Sequence, residues 1–193
     1  MSFESIVKAI EKHIHLNGEE IAIFTSLLQF KVVRKKQHIL NAGEICQWNI
    51  FVIKGCLRGY TIDKNGLEHA LSFAPQGWWI GDLYSLISQK PGNLNIDALD
   101  DTEVFLLFKK DQDSLYQQLP QFERFFRILA ENSLVSHQQR IIDNLSLTAE
   151  EKYLKFCKTY PTLQNVLSQK QVASYIGVTP EFFSRMRTGL LKK

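Results

Sequence analysis

Four glycines, Gly43, Gly55, Gly66 and Gly77, recur 12, 11 and 11 residues apart. Between them lie short runs rich in β-branched and aromatic residues: Phe30–Lys35, Asn49–Lys54, Leu57–Ile62 and His69–Phe73. Short strands punctuated at that interval are the rhythm of an antiparallel sandwich or roll. Asp63-Lys64-Asn65-Gly66 has the composition of a hairpin turn, with Asn-Gly supplying positive φ. A last strand, Glu103–Phe108, follows the turn-like Asp100-Asp101, so residues 30–108 read as a β-roll.

The flanks carry a different period. Phe3, Ile6, Val7, Ile10 and Ile14 stand at helical spacing, and Asn17 with Glu20 offers a capping box ahead of Ile21, Phe24, Leu27 and Leu28. After Pro120, Phe122, Phe125, Phe126 and Leu129 continue through Leu134, Val135, Ile141, Ile142 and Leu145, predicting one helix of about 25 residues. Such a helix is too long for one small roll and suits a subunit interface, plain core packing being the other reading. Ser146-Leu147-Thr148 reads as a hinge. Thr148 and Glu151 form a second capping box for a helix that stops before Pro161.

Bulk properties narrow the function class. With 45% hydrophobic and 22% charged residues the 193-residue chain has ordinary globular composition, and no run approaches the ~18 apolar residues of a membrane span. Met1-Ser2-Phe3-Glu4 lacks the basic start of a signal peptide, which favours the cytoplasm. Cys46, Cys56 and Cys157 show no paired spacing and read as free, buried thiols rather than metal ligands. Residues 146–193 carry eight Lys/Arg, Lys192 and Lys193 among them, against three acids, +5 in all, which leaves −2 for the rest. A basic tail on an acidic body suits a polyanionic partner.

The tail holds the most informative stretch, residues 168–190. Ser168 can cap a helix with Val172, Ala173 and Ile176 on its apolar side, and Gly177 stands where that helix must end. Thr179 then supplies a cap and Pro180 a first helical residue, so only Gly177 and Val178 separate two short helices. Small Ala173 allows the helices to approach, and Phe182, Phe183 and Met186 are expected to pack the second one. Thr179, Glu181, Ser184, Arg185 and Thr188 remain as a polar face that a DNA major groove could receive. Pro180 starts that helix, while Ser168, Gln169 and Lys170 are placed to meet phosphates. A helical hairpin closing a core is the plain alternative.

Leu167 through Arg185 resembles, without gaps, the DNA-binding motif of the cyclic-AMP-receptor/Fnr (Crp/Fnr) family of regulators, and the resemblance spans nearly the whole chain. It implies an α+β protein. A cyclic-nucleotide-binding-type, jelly-roll-like β-roll with flanking helices would fill residues 1–119. A dimerisation helix would take 120–145, and a winged-helix-like helix-turn-helix domain 146–193. Double-stranded DNA, a second copy of the chain, a small-molecule effector and RNA polymerase are the partners it implies, with no membrane and no cofactor. The family's arginine before the glutamate is replaced by Pro180, whereas Glu181 and Arg185 are kept.

The ligand side of the resemblance departs further. Gly81-Asp82-Leu83 resembles the first half of the family's nucleotide-binding loop, but Gly92-Asn93 stands where the phosphate-binding arginine is expected. No arginine occurs between Arg58 and Arg124. Ser136 keeps one of the polar pair that meets adenine on the long helix. A buried cyclic phosphate would forgo a charge-assisted contact, so cyclic AMP is not the expected ligand. Trp78, Trp79 and Tyr84 line a pocket for another effector or belong to the core.

Two rival classes remain. A cupin-like enzyme would need clustered ligands, but His13, His15, His38, His69 and His137 are scattered, and no GxSxG, HExxH or P-loop is present. A signalling module without DNA binding would be indifferent to loss of residues 168–193.

Overall fold

The computed structural model describes residues 2–164 and 166–190. Leu191, Lys192 and Lys193, the end of the basic tail, lie outside the described residues. Two helices open the chain, α1 (Glu4–Glu11) and α2 (Gly18–Ser26). The capping box of α2 is made: Asn17 Oδ1 accepts from Glu20 N at 3.0 Å and Glu20 Oε2 accepts from Asn17 N at 2.8 Å.

Eight strands follow: β1 (Leu28–Val33), β2 (His38–Leu40), β3 (Trp48–Lys54), β4 (Cys56–Ile62), β5 (Glu68–Pro75), β6 (Trp79–Ile80), β7 (Asn95–Ala98) and β8 (Thr102–Phe108). They form two four-stranded sheets, ordered β1-β8-β3-β6 and β2-β7-β4-β5. The short helix α3 (Leu83–Ser88) interrupts them between β6 and β7. Among the described residues all later elements are helices: α4 (Lys109–Gln118), α5 (Gln121–Ser146), α6 (Ala149–Thr159), α7 (Gln169–Ile176) and α8 (Pro180–Leu190). A wing of strands is therefore not among the described residues.

In the first sheet β3 and β8 are buried on both faces, which explains why they read as continuous apolar runs. Ile50, Val52, Val104 and Leu106 point into one core with Val33, Leu57 and Ile96. Their neighbours Phe51, Phe105 and Leu107 point into another, with Ile6 and Ile10 of α1, Phe24 of α2, and Phe122 and Phe125 of α5. Strand β1 runs antiparallel to β8, from Leu28 opposite Leu107 to Val33 opposite Thr102.

All four rhythmic glycines take positive φ, between 79° and 91°. Gly55 is the most constrained. Besides its φ of 88°, a Cβ there would stand 2.6 Å from Thr102 Oγ1 and 2.9 Å from Thr102 Cα. At the hairpin only Gly66, not Asn65, goes left-handed. Asp63 Oδ1 instead accepts from the N–H groups of Asn65 and Leu67, at 2.8 and 3.0 Å.

Strands β2, β6 and β7 and helix α4 escape the sequence pattern. The first three are two to four residues long, and β7 is disguised by polarity. Asp97 lies buried in it, paired in a two-pronged contact with Arg58 of β4: Nε to Oδ1 at 3.0 Å and Nη2 to Oδ2 at 2.6 Å. The long helix is 26 residues, close to expectation. Of the cysteines, Cys46 and Cys56 are buried and Cys157 is only half-buried. Burial pushes the Cys56 thiol up to about 12.

The chain divides into two compact units that do not follow chain order. One holds the residues up to Gly59 together with Phe73–Ser133, and the other holds Tyr60–Ser72 with the residues from Leu134 on. The β4–β5 hairpin tip thus belongs with the C-terminal helices.

Candidate nucleic-acid interface

The helix-turn-helix is assembled from local rules, each visible as a contact. Ser168 Oγ accepts from Gln171 N at 3.3 Å and Gln171 Oε1 accepts from Ser168 N at 2.9 Å, a reciprocal cap that starts α7. Gly177 ends it at φ 77°. There the Ala173 carbonyl accepts from the N–H of both Gly177 and Val178. Thr179 Oγ1 then accepts from Phe182 N at 3.2 Å, and Pro180 begins α8.

Under this pair lies a small aromatic core. Val172, Ala173, Ile176 and Phe183 are buried, with Phe156 and Tyr160. Tyr153 meets Phe183 edge-on at 5.2 Å, and Tyr175 lies 5.4 Å from Phe156 and 5.7 Å from Tyr160. Phe183 therefore packs as expected. Phe182 does not: it is 46% exposed, because a residue one position from the buried Phe183 is turned about 100° around the helix.

Every residue expected to meet DNA is on the surface. Ser168, Gln169 and Lys170 are exposed at the start of α7, and Thr179, Pro180, Glu181, Ser184 and Arg185 are exposed at the turn and along α8. Glu181 and Arg185 stand four residues apart and so share a side of the helix. Ser184 leaves its carbonyl to Thr188 Oγ1, which donates to it at 3.0 Å.

Sequence reasoning missed how α7 is held. Ser174 Oγ donates to the Glu68 carbonyl at 2.6 Å and accepts from Ala70 N at 2.9 Å, continuing the hairpin edge onto the helix. Arg140 of α5 donates to the carbonyls of Ala70 at 2.8 Å, of Tyr175 at 2.9 Å and of Leu71, and its guanidinium stands 4.1 Å from the Tyr175 ring centre. An open cleft of about 510 Å³ runs beside these contacts, lined by His69, His137, Arg140, Lys152 and Tyr175 among others. Its residues come from separate stretches of chain, so no local motif announces it.

The expected ligand residues fall in both units. Ser136 is exposed and lies in the second unit, whereas Gly81, Asp82, Leu83, Gly92 and Asn93 belong to the first. There Asp82 is buried and caps α3, its Oδ1 accepting from Ser85 N at 3.0 Å. A Cβ on Gly92 would run into Asp82 Oδ2, 2.9 Å from its Cγ and 3.0 Å from Ser85 Cβ. Gly92 is fixed in turn by Gly43 N, which donates to its carbonyl at 2.7 Å, and by its own N–H to the Glu44 carbonyl at 3.1 Å. The loop closes around the Asp82 carboxylate. Leu83 and Asn93 point outward, as do Trp78 and Tyr84, while Trp79 packs on the core.

Comparison with known proteins agrees with this architecture. Residues 30–119 match the family described as "Cyclic nucleotide-binding domain". The chain is 23% identical over 183 residues to the "Anaerobic regulatory protein" of Haemophilus influenzae, covering 89% of this chain and 70% of that one. It is 27% identical over 105 residues to the "Cyclic AMP receptor protein" of Thermus thermophilus, covering 54% and 48% respectively. Among solved structures, FixK2 of Bradyrhizobium japonicum superposes with a TM-score of 0.74 at 20% identity, covering 86% of this chain and 85% of that one, a likeness of fold.

Proposed function

We propose that this chain, whose residues 30–119 match the cyclic nucleotide-binding domain and whose fold is that of FixK2, is a Crp/Fnr-type regulator that binds double-stranded DNA as a homodimer and regulates transcription. The carrying observation is the division of α8: Phe183 is buried beneath it, while Glu181, Ser184 and Arg185 stand exposed along it. Glu181 can accept from cytosine N4 and Arg185 can donate to guanine O6 and N7. Ser168, Gln169 and Lys170 anchor the start of α7 on phosphates, with Thr179 and Pro180 setting the entry of α8.

The dimer forms through α5. Leu134, Ile141 and Leu145, with Gln138 between them, are spaced four, three and four apart, the seam of a coiled coil, and Val135 and Ile142 flank it. The five apolar residues are all exposed in the single chain, Leu145 by 85%. Two such subunits set recognition helices ~34 Å apart, one DNA turn.

The first unit serves as sensor of a small molecule other than cyclic AMP, since Asp82 occupies the loop and no arginine follows until Arg124. RNA polymerase is the partner through which bound protein would act, in the cytoplasm, and the role is regulatory rather than enzymatic. Among the described residues no helix is long and apolar enough to cross a membrane. The test is selection of random double-stranded fragments by the purified full chain. Enrichment of a two-part site with half-sites about one turn apart is expected. Recovery of unenriched DNA at every salt concentration would refute the reading.

A further inference from the structure

Helix α8 carries two consecutive phenylalanines with opposite fates. Phe183 is 1% exposed and packed against Tyr153, whereas Phe182 is 46% exposed and makes no ring contact among the described residues. Such a ring in water is unsatisfied apolar surface, and its position on the helix specifies what can cover it. Phe182, Arg185 and Gly189 follow at spacings of three and four and so form one row along α8, beside Glu181. Gly189 has nothing within 4 Å of where a Cβ would stand, so the row is open beyond Arg185. The backbone that carries the ring is pinned in the first turn of α8. The Phe182 N–H is held by Thr179 Oγ1, and Pro180 fixes φ in the same turn.

We propose that Phe182 is a sequence-reading residue whose ring contacts the 5-methyl group of a thymine in the major groove. This deepens the DNA-binding reading above and rests on it. The first turn of a recognition helix is the part that reaches base edges. A phenyl ring offers no hydrogen bond to any base, but it gains from the one apolar feature of the groove, the thymine methyl. Glu181 and Arg185 thus read hydrogen-bonding edges, and Phe182 adds a preference for thymine at a neighbouring base pair.

The experiment uses the full-length protein and the best fragment from the selection, synthesised with each thymine replaced in turn by deoxyuridine, which removes only the methyl group. Wild-type protein should lose about four-fold affinity at one position per half-site, the worth of one buried methyl group. Phe182→Ala should bind the thymine fragment more weakly and show no penalty for deoxyuridine there. Phe182→Leu should keep part of it. Unchanged helix content and unchanged affinity for non-specific DNA show that the variants are folded. A wild-type protein indifferent to every deoxyuridine, or a Phe182→Ala protein with the full penalty, would overturn the assignment. If no fragment is enriched at all, the DNA-binding premise fails first, and the thymine assignment falls with it.

Discussion

Arg185 and Lys170 are both exposed cations of the same small unit, and on the proposed DNA-binding reading their places on their helices predict different work. Arg185 lies one turn beyond Glu181 on the open side of α8, whereas Lys170 lies in the first turn of α7. Arg185→Ala should cost about 1–3 kcal/mol on the selected site and relax base preference at one or two positions. Lys170→Ala should weaken all sequences alike and reduce the salt slope by about one counterion. Competition binding at two salt concentrations separates them; an Arg185→Ala protein with unaltered sequence preference would make that residue an anchor. In the other unit, Gly92 has no room for a side chain. Gly92→Ala, pressed on Asp82 and Ser85, should lose about 1–3 kcal/mol of stability in urea unfolding. In an Asp82→Ala background the same substitution should cost markedly less, and equal costs in both backgrounds would show that the carboxylate does not fill the loop.

Single elements carry their own instructions to different degrees. The turn between α7 and α8 is self-contained: Ser168, Gly177, Thr179 and Pro180 supply cap, stop, cap and start, and each makes its expected local contact or conformation. Helix α5 is different, since five exposed apolar residues on its second half are unexplained within one chain. Leu134→Glu with Ile141→Glu would place charges on the coiled-coil seam and should convert a dimer into a folded monomer. Sedimentation at micromolar protein should then fall from twice 22.3 kDa to 22.3 kDa. A wild-type monomer, or a variant still dimeric, would move the interface elsewhere.

At the scale of the molecule, residues 30–119 match a cyclic nucleotide-binding domain, and within them Asp82 and Gly92 close against each other. Asp82, buried and capping α3, faces Gly92 where a phosphate-binding cation would be needed. Arg58, the buried arginine of β4, is already engaged by Asp97. Calorimetry with cyclic AMP and with cyclic GMP should give no constant tighter than millimolar, and micromolar binding of either would contradict this account of the loop. The hairpin tip illustrates the opposite economy. Residues 60–72, strand and turn by sequence, join the C-terminal helices through Ser174 and Arg140.

Local chemistry by itself determined the glycine turns, the capping boxes at Asn17 and Thr148, the length of α5 and the two helices around Gly177. In the capping boxes, the Gly66 hairpin and the turn at Gly177, the interaction that decides the conformation lies within four residues. Long-range partners decided the rest. Polar β7 is a strand because Arg58 neutralises its buried Asp97, and the three shortest strands exist only by pairing with distant ones. Phe182 and Phe183 are indistinguishable by composition. Only the packing of Tyr153 against one of them leaves the other facing outward. The exposed face of α8 was therefore legible at Glu181 and Arg185, whose charge forbids burial, and illegible at Phe182, whose apolar ring is stable on either side until the helix is docked.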